Sequence, residues 1–545
     1  MSHDFPDPTL SHLPADTSVP LLLMTTGDAL RDAARRHPER IALVEVMPPG
    51  LPSLTGASDT ARRWTYAELL AQAEQCAHWL LTRFTPGERV CLWAPNVPEW
   101  VILQYGVALA GLVLVTANPA LRSAELRYAL RQSRCTGLLY TAEFRGTDMA
   151  AVAREVAGEV RETFCLLNWQ TEVRTHSARG ELPHVQALDP AQIQYTSGTT
   201  GNPKGALLHH AGLVTSARLT CNRAGIEASV VISPMPLFHT AGAVLSSLGC
   251  VTTGSTYVLP LLFEPETLMR AIALERCDVF YGVPTMQIAM LDHPKRDQYD
   301  LSTLRVAISG GAPVPPELLH RIETGFHCDL LTLYGQTECS PTISMVGPND
   351  NQEDKATTVG QPLPQVEIRI ADPASGKTQS VGAEGEIEVR GPQCMLGYFE
   401  MPEETAQTMR PDGWLRTGDL GTLDRRGYLR VTGRLKDMII RGGENIYPAE
   451  VEARLMEHAT VAMAVVFGIP DARWGEVVGA AVQIRAGMPL PAAEALRAHC
   501  LSMLAPQKLP TVWFSCDAFP LTASGKVQKF RLRELAETNQ LTQMV

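Results

Sequence analysis

Apolar strands and amphipathic helices take turns along roughly the first 335 residues, and nothing else in the chain restricts its fold as much. Thr65-Tyr66-Ala67-Glu68 has the form of a capping box. In it a Thr hydroxyl and a Glu carboxylate three residues later satisfy free N–H groups at a helix start, and Leu69, Ala73, Cys76, Ala77 and Leu80 follow on one face. A strand at 89–93, a helix from Pro98, a Val/Leu run at 112–115, a helix from Ser123 and a strand at 137–140 continue the pattern. It resumes with strands at 229–232, 279–281 and 304–308. Such alternation predicts parallel sheets covered on both faces, an α/β architecture. The strand at 304–308 runs into Ser309-Gly310-Gly311-Ala312-Pro313, and at the carboxyl end of a parallel strand a glycine turn lets a ligand approach the backbone.

The texture changes near Val366. EIRIAD, the alternation Glu386-Ile387-Glu388-Val389-Arg390 and GYLRVTG at 427–433 read as short antiparallel strands separated by turns. Beyond Lys436 the pattern resets: a helix from Pro448, strands at 461–467 and 477–484, and a helix from about Pro491. The expectation is a large N-terminal domain, residues 1–433, of two parallel-type α/β subdomains plus a small β subdomain at about 340–433. A small α+β C-terminal domain, residues 434–545, follows it. A length of 545 residues accommodates this, since such chains divide into about two to four units. The segment 168–190 is polar and reads as a loop.

Composition narrows the functional classes. With 47 basic and 58 acidic residues the net charge is −11, which argues against nonspecific binding to nucleic acid or anionic membranes. The first residues, MSHDFPDPTLSHLPADTSVP, place prolines and acids where an export signal needs a basic start and an apolar run. The most membrane-like segment, 101–115, contains Gln104 and two glycines and falls short of the roughly 20 residues that span a bilayer. It reads as a buried helix running into a strand. Twelve scattered cysteines without a C-x-x-C pair fit reduced thiols in a cytoplasm, not a disulfide framework or a zinc site.

The stretch YTSGTTGNPKG, 195–205, concentrates backbone N–H groups and hydroxyls that can converge on an anion, with phosphate the obvious candidate. It departs from the P-loop at two places, because Pro203 precedes Lys204 and Gly205 follows it. Seven further motifs follow in order: PMPLFHTAG at 234, SGGAP at 309, YGQTE at 334, GEIEVRG at 385, WLRTGDL at 414, GRLKDMIIRGGENIYP at 433 and PLTASGKVQK at 520. Together they resemble the adenylate-forming, AMP-binding enzymes, and in their later motifs medium-chain and related fatty acyl-CoA synthetases.

The resemblance implies a reaction in two halves: a carboxylate attacks the α-phosphate of ATP and expels pyrophosphate, and a thiol then displaces AMP. It assigns Thr196, Ser197, Gly198, Thr199, Thr200, Gly201 and Lys204 to the β- and γ-phosphates. Gly311, Ala312 and Pro313 would lie along the adenine and the acyl pocket, Tyr334 would stack on the base, and Gly335 and Gln336 complete that turn. Thr337 would touch the α-phosphate and Glu338 would hold Mg²⁺. Asp419 would accept the ribose hydroxyls, with Arg434 adding a donor. Lys526 would bridge the attacking carboxylate and the α-phosphate as an electrostatic clamp. Lys436 matches the hinge about which a mobile C-terminal domain turns, and Gly442 and Gly443 would line the path of coenzyme A. His239 is either a core histidine or a wall of the carboxylate pocket, and the small Ala241, Gly242 and Ala243 after it would leave room for an aliphatic chain.

The expected activity is a cytoplasmic acid–thiol ligase using ATP, Mg²⁺ and coenzyme A on a carboxylic acid of medium chain length. No nucleic-acid partner and no integral membrane contact are expected. An aryl or specialised carboxylate, a carrier protein as acceptor, and a noncatalytic acyl or nucleotide sensor stand as alternatives. Oligomeric state is not legible in the sequence.

Overall fold

The computed structural model describes residues 9–58, 61–177, 180–196, 203–311, 314, 316–442, 444–485, 487–521 and 527–544. Two large sheets form the body of the N-terminal domain. A seven-stranded sheet has the parallel strands Glu162–Cys165, Gly137–Tyr140, Arg89–Trp93, Val113–Ala117 and Pro190–Thr196 side by side. Lys204–His209 and Gly397–Tyr398 then join it antiparallel. A nine-stranded sheet is built on six consecutive parallel neighbours, Asp329–Gly335, Val306–Gly310, Val279–Gly282, Val230–Ile232, Thr256–Pro260 and Ile41–Val46. The alternation read from the sequence accounts for these cores.

The capping box at Thr65 is present: the Glu68 N–H donates to Thr65 Oγ1 and the Glu68 carboxylate accepts from the Thr65 N–H, opening the helix Tyr66–Leu81. The helix Pro98–Leu109 is buried along its whole length and leads into Val113–Ala117, as expected of the apolar segment around 101–115. No helix among the described residues is long and apolar enough to cross a membrane. All twelve cysteines are free thiols and ten are buried, so they serve mainly as small core residues.

Three features depart from the sequence reading. The strand Thr342–Met345, placed by sequence at the start of the β subdomain, pairs with Asp329–Gly335 and Gln361–Pro362, so it belongs to the nine-stranded sheet. Its fully buried Ile343 and Met345 add to the apolar face of that sheet. The separate five-stranded sheet begins at Glu367–Ala371 and takes as its edge the strand His12–Leu13, hundreds of residues away in sequence. Within 168–190 a helical turn, Trp169–Val173, buries Trp169 and Val173 against the core.

The five-stranded sheet is stitched by buried charge. Glu388, fully inaccessible, accepts from Arg369 at 2.6 Å and from Arg410 at 2.6 Å. The C-terminal sheet contains Ile439–Arg441, Glu444–Ile446, Val461–Asp471, Gly475–Ile484 and Val512–Ser515, and encloses its own apolar core around Val451, Val466, Val482 and Leu496.

His210 sits at the start of the helix His210–Arg223, where its Nδ1 accepts from the Thr26 N–H. Burial pushes its pKa down from 6.5 to about 4. Because the unfolded chain takes up this proton first, His210 contributes stability that is complete above pH 6.5 and is lost as pH falls toward 4. The stability difference between wild type and His210→Gln, followed by urea unfolding, should therefore change by about one proton's slope across that window and be flat above it. A difference constant from pH 7 to 4 would contradict this assignment.

Candidate active site

Two clusters of side chains form where the sheets meet. The first centres on Asp419, in the strand Leu415–Leu423, whose register places it opposite Arg434. Asp419 is 4% exposed. Its Oδ1 accepts from Arg434 Nε at 2.7 Å and its Oδ2 from the Tyr334 hydroxyl at 2.8 Å. Burial, then the adjacent carboxylate, raise the Tyr334 phenol well above its ordinary pKa, so it stays a donor. The Asp419 carboxylate likewise raises Arg434. A carboxylate oxygen has two acceptor positions, so each Asp419 oxygen can still take one hydroxyl from a ligand. The ring of Tyr334 is thereby fixed at its far end.

The second cluster centres on Glu338, in the short turn Thr337–Cys339 after the strand Asp329–Gly335. Gly335 lies so close to the Pro341 carbonyl that a Cβ would collide with it, which is why glycine precedes this turn. The Gln336 N–H donates to the Pro341 oxygen at 2.9 Å, and the Met395 N–H donates to the Glu338 oxygen at 2.8 Å. Glu338 is 9% exposed, and its Oε1 accepts from the Tyr398 hydroxyl at 2.6 Å. The ammonium of Lys204 lies over the Tyr398 ring, 5.0 Å from its centre. Burial and the Glu338 carboxylate raise the Tyr398 phenol, leaving it protonated. Sequence reading did not find Tyr398: a tyrosine after glycine on a two-residue edge strand has no periodicity to mark it.

The remaining sequence-predicted residues divide. Thr196 ends its strand opposite Lys204, with its hydroxyl donating to the Lys204 carbonyl at 3.4 Å. Gly311 follows the strand Val306–Gly310 with φ +80°, a conformation that favours glycine. His239 accepts at Nδ1 from the Ala241 N–H and is half-buried just before the helical segment Ala241–Leu248. Gly242 there packs against the Pro236 carbonyl, so its small size serves close packing and not space for an acyl chain. Lys436 is exposed between the strands Leu429–Arg434 and Ile439–Arg441. Gly442, at φ +60°, donates its N–H to the Trp474 carbonyl within the C-terminal domain. Ser197, Gly198, Thr199, Thr200, Gly201, Ala312, Pro313, Gly443 and Lys526 lie outside the described residues. No cluster of three or more His, Cys, Asp and Glu side chains among the described residues could hold a metal.

Residues 30–399 match the family model described as AMP-binding enzyme, and residues 450–526 match the AMP-binding enzyme C-terminal domain. The chain belongs to the AMP-binding enzyme family. The protein YngI of Bacillus subtilis (strain 168) is 36% identical, the match covering 94% of this chain and 97% of YngI. The medium-chain acyl-CoA ligase ACSF2, mitochondrial, of Macaca fascicularis is 34% identical over 97% of this chain and 90% of its own. Among solved structures, the anthranilate CoA ligase AuaEII in complex with anthranoyl-AMP superposes with a TM-score of 0.86 at 25% identity, covering 96% of this chain and 99% of that one.

The expectation that Asp419 takes the ribose hydroxyls of AMP can be weighed by substitution. Hydrogen bonds to a charged group are worth about 1.5–3 kcal/mol, so Asp419→Ala should weaken AMP binding by roughly ten- to a hundredfold in a calorimetric titration. Tyr334→Phe, which removes only one neutral donor, should cost about tenfold at most. Equal losses for the two variants would show that Asp419 does not meet the ligand.

Proposed function

We propose that this AMP-binding enzyme is an acyl-CoA synthetase that activates a medium-chain fatty acid with ATP and passes the acyl group to coenzyme A. The observation that carries the reading is the pair of clusters. One holds a carboxylate ready for ribose hydroxyls beside a ring that can stack on adenine, and the other brings the Lys204 ammonium, at the start of the strand that follows the phosphate-type loop, and the Glu338 carboxylate to the same tyrosine. The chain length follows the relative named a medium-chain acyl-CoA ligase.

The chemical demand is to bring an anionic carboxylate onto an anionic phosphorus. Lys204 offsets charge on the departing pyrophosphate, and Lys526 would stand between the carboxylate and the α-phosphate, lowering the barrier electrostatically without exchanging a proton. Attack by the carboxylate oxygen forms the acyl–phosphate bond as the bond to pyrophosphate breaks. In the second half the thiol sulfur bonds to the acyl carbon, its proton leaves, and AMP departs. Glu338 fits a hard divalent cation such as Mg²⁺: a site with one protein carboxylate is typical of a cation whose other ligands are substrate phosphates and water. When bound, that cation supplies positive charge to the phosphate oxygens.

Between the halves, the C-terminal domain (434–545) would turn about Lys436, withdrawing Lys526 and bringing Gly442 and Gly443 toward the pantetheine path. Such a turn would also load the Leu435 N–H to Gly418 carbonyl hydrogen bond beside Arg434. An aryl acid is a second reading, favoured by the fold likeness to the anthranilate CoA ligase.

Carboxylate-dependent exchange of labelled pyrophosphate into ATP, without coenzyme A and across acids from acetate to palmitate plus benzoates, should peak at intermediate aliphatic chain length. Exchange confined to aryl acids would replace the fatty acid with the second reading. Lys526→Ala should lower the exchange rate by about a hundredfold or more, in line with the loss of a preorganised charge at a transition state. Lys436→Pro should abolish one half-reaction and spare the other, and equal loss of both would remove the hinge role.

A further inference from the structure

The strand Lys204–His209 has Gly397–Tyr398 as its edge partner, with Ala206 opposite Tyr398 and the Phe399 N–H donating to the Gly205 carbonyl at 2.8 Å. Residues two apart on a strand share a face, so Tyr398 stands diagonally across from Lys204 on the same side of the sheet. That geometry puts the ammonium over the ring, at 5.0 Å, while the hydroxyl reaches Glu338 Oε1 at 2.6 Å. The segment is held from behind as well: the Tyr398 N–H donates to Thr405 Oγ1 at 2.9 Å. Met395, three residues earlier, donates its N–H to the Glu338 carbonyl, so one stretch of chain fixes both the backbone and the side chain of Glu338. Among the described residues no donor takes Glu338 Oε2.

We propose that Tyr398 is a positioning residue that couples the lysine facing the triphosphate to the carboxylate facing the divalent cation. The inference rests on the reading of Glu338 and Lys204 given above. By occupying Oε1, the Tyr398 hydroxyl turns Oε2 outward as the single oxygen offered to a cation. By lying under the ammonium, the ring holds Lys204 near that cation without neutralising it, which a carboxylate in its place would do. The two halves of one side chain thus do separable work: the hydroxyl sets the cation site and the ring sets the lysine.

The test uses the full-length protein with Mn²⁺ as a paramagnetic probe. Free Mn²⁺ is measured by electron paramagnetic resonance in the presence of ATP, and metal-free ATP binding is measured separately by calorimetry. Tyr398→Phe keeps the ring, and it should weaken Mn²⁺ binding about tenfold while leaving metal-free ATP affinity within about twofold of wild type. Tyr398→Leu, checked for folding by its melting curve, should lose both. In a Glu338→Gln background, Tyr398→Phe should change Mn²⁺ binding little, because the two substitutions remove the same interaction. Unchanged Mn²⁺ binding by Tyr398→Phe would overturn the proposal, as would a loss of the same size in the Glu338→Gln background. Wild-type protein that binds ATP but no Mn²⁺ would instead remove the cation role of Glu338, and with it this one.

Discussion

The buried carboxylate of Asp419 is the point at which the N-terminal domain is tied together. Its own strand belongs to the five-stranded sheet, Tyr334 comes from the nine-stranded sheet, and Arg434 ends the last strand before the C-terminal domain. A carboxylate this inaccessible is costly unless its oxygens are paired, and here each has a donor from a different direction. The donors that pair the Asp419 oxygens also orient the Tyr334 ring, so the contacts that stabilise the junction are the ones on which the proposed nucleotide site rests. Neither sheet alone could supply that arrangement.

Charge is handled locally throughout. The chain carries a net −11, and the chemistry brings two anions together, so the compensating cations have to be held at defined places. Arg434 is held by Asp419 and Lys204 by an aromatic face. The two restraints differ in kind. An ion pair absorbs much of the cation's field, whereas a ring face leaves most of it available to a phosphate.

Much of this was legible in the sequence, for reasons that particular residues make plain. The strands at 89–93, 137–140 and 279–281 announce themselves because burial on both faces makes them continuous apolar runs, and the helix at Tyr66 because its capping box is local. Asp419, Arg434, Tyr334 and Glu338 were readable only because their motifs occur in series, and the structure sets the first three in contact and joins Glu338 to Lys204 through Tyr398. What escaped was nonlocal. Thr342–Met345 has the alternation of any half-buried strand, and nothing within it says which sheet it joins. Tyr398 finds its hydrogen-bond partner 60 residues away. Gly242 looked like a vacancy because glycine lacks a side chain, yet the neighbouring Pro236 carbonyl already fills the space.

The edge strand His12–Leu13 has a consequence for how the molecule is made. Its partner, Glu367–Ala371, emerges from the ribosome some 355 residues later, at about 5–20 residues per second. The strand Ile41–Val46 waits similarly for Thr256–Pro260. During that interval of tens of seconds His12–Leu13 has no sheet to join, and Ile41–Val46 has only the nearby strand Arg63–Thr65 as a partner. Assembly of the five-stranded sheet is therefore tied to late synthesis, and a ribosome pause before residue 367 would leave His12–Leu13 without its partner strand.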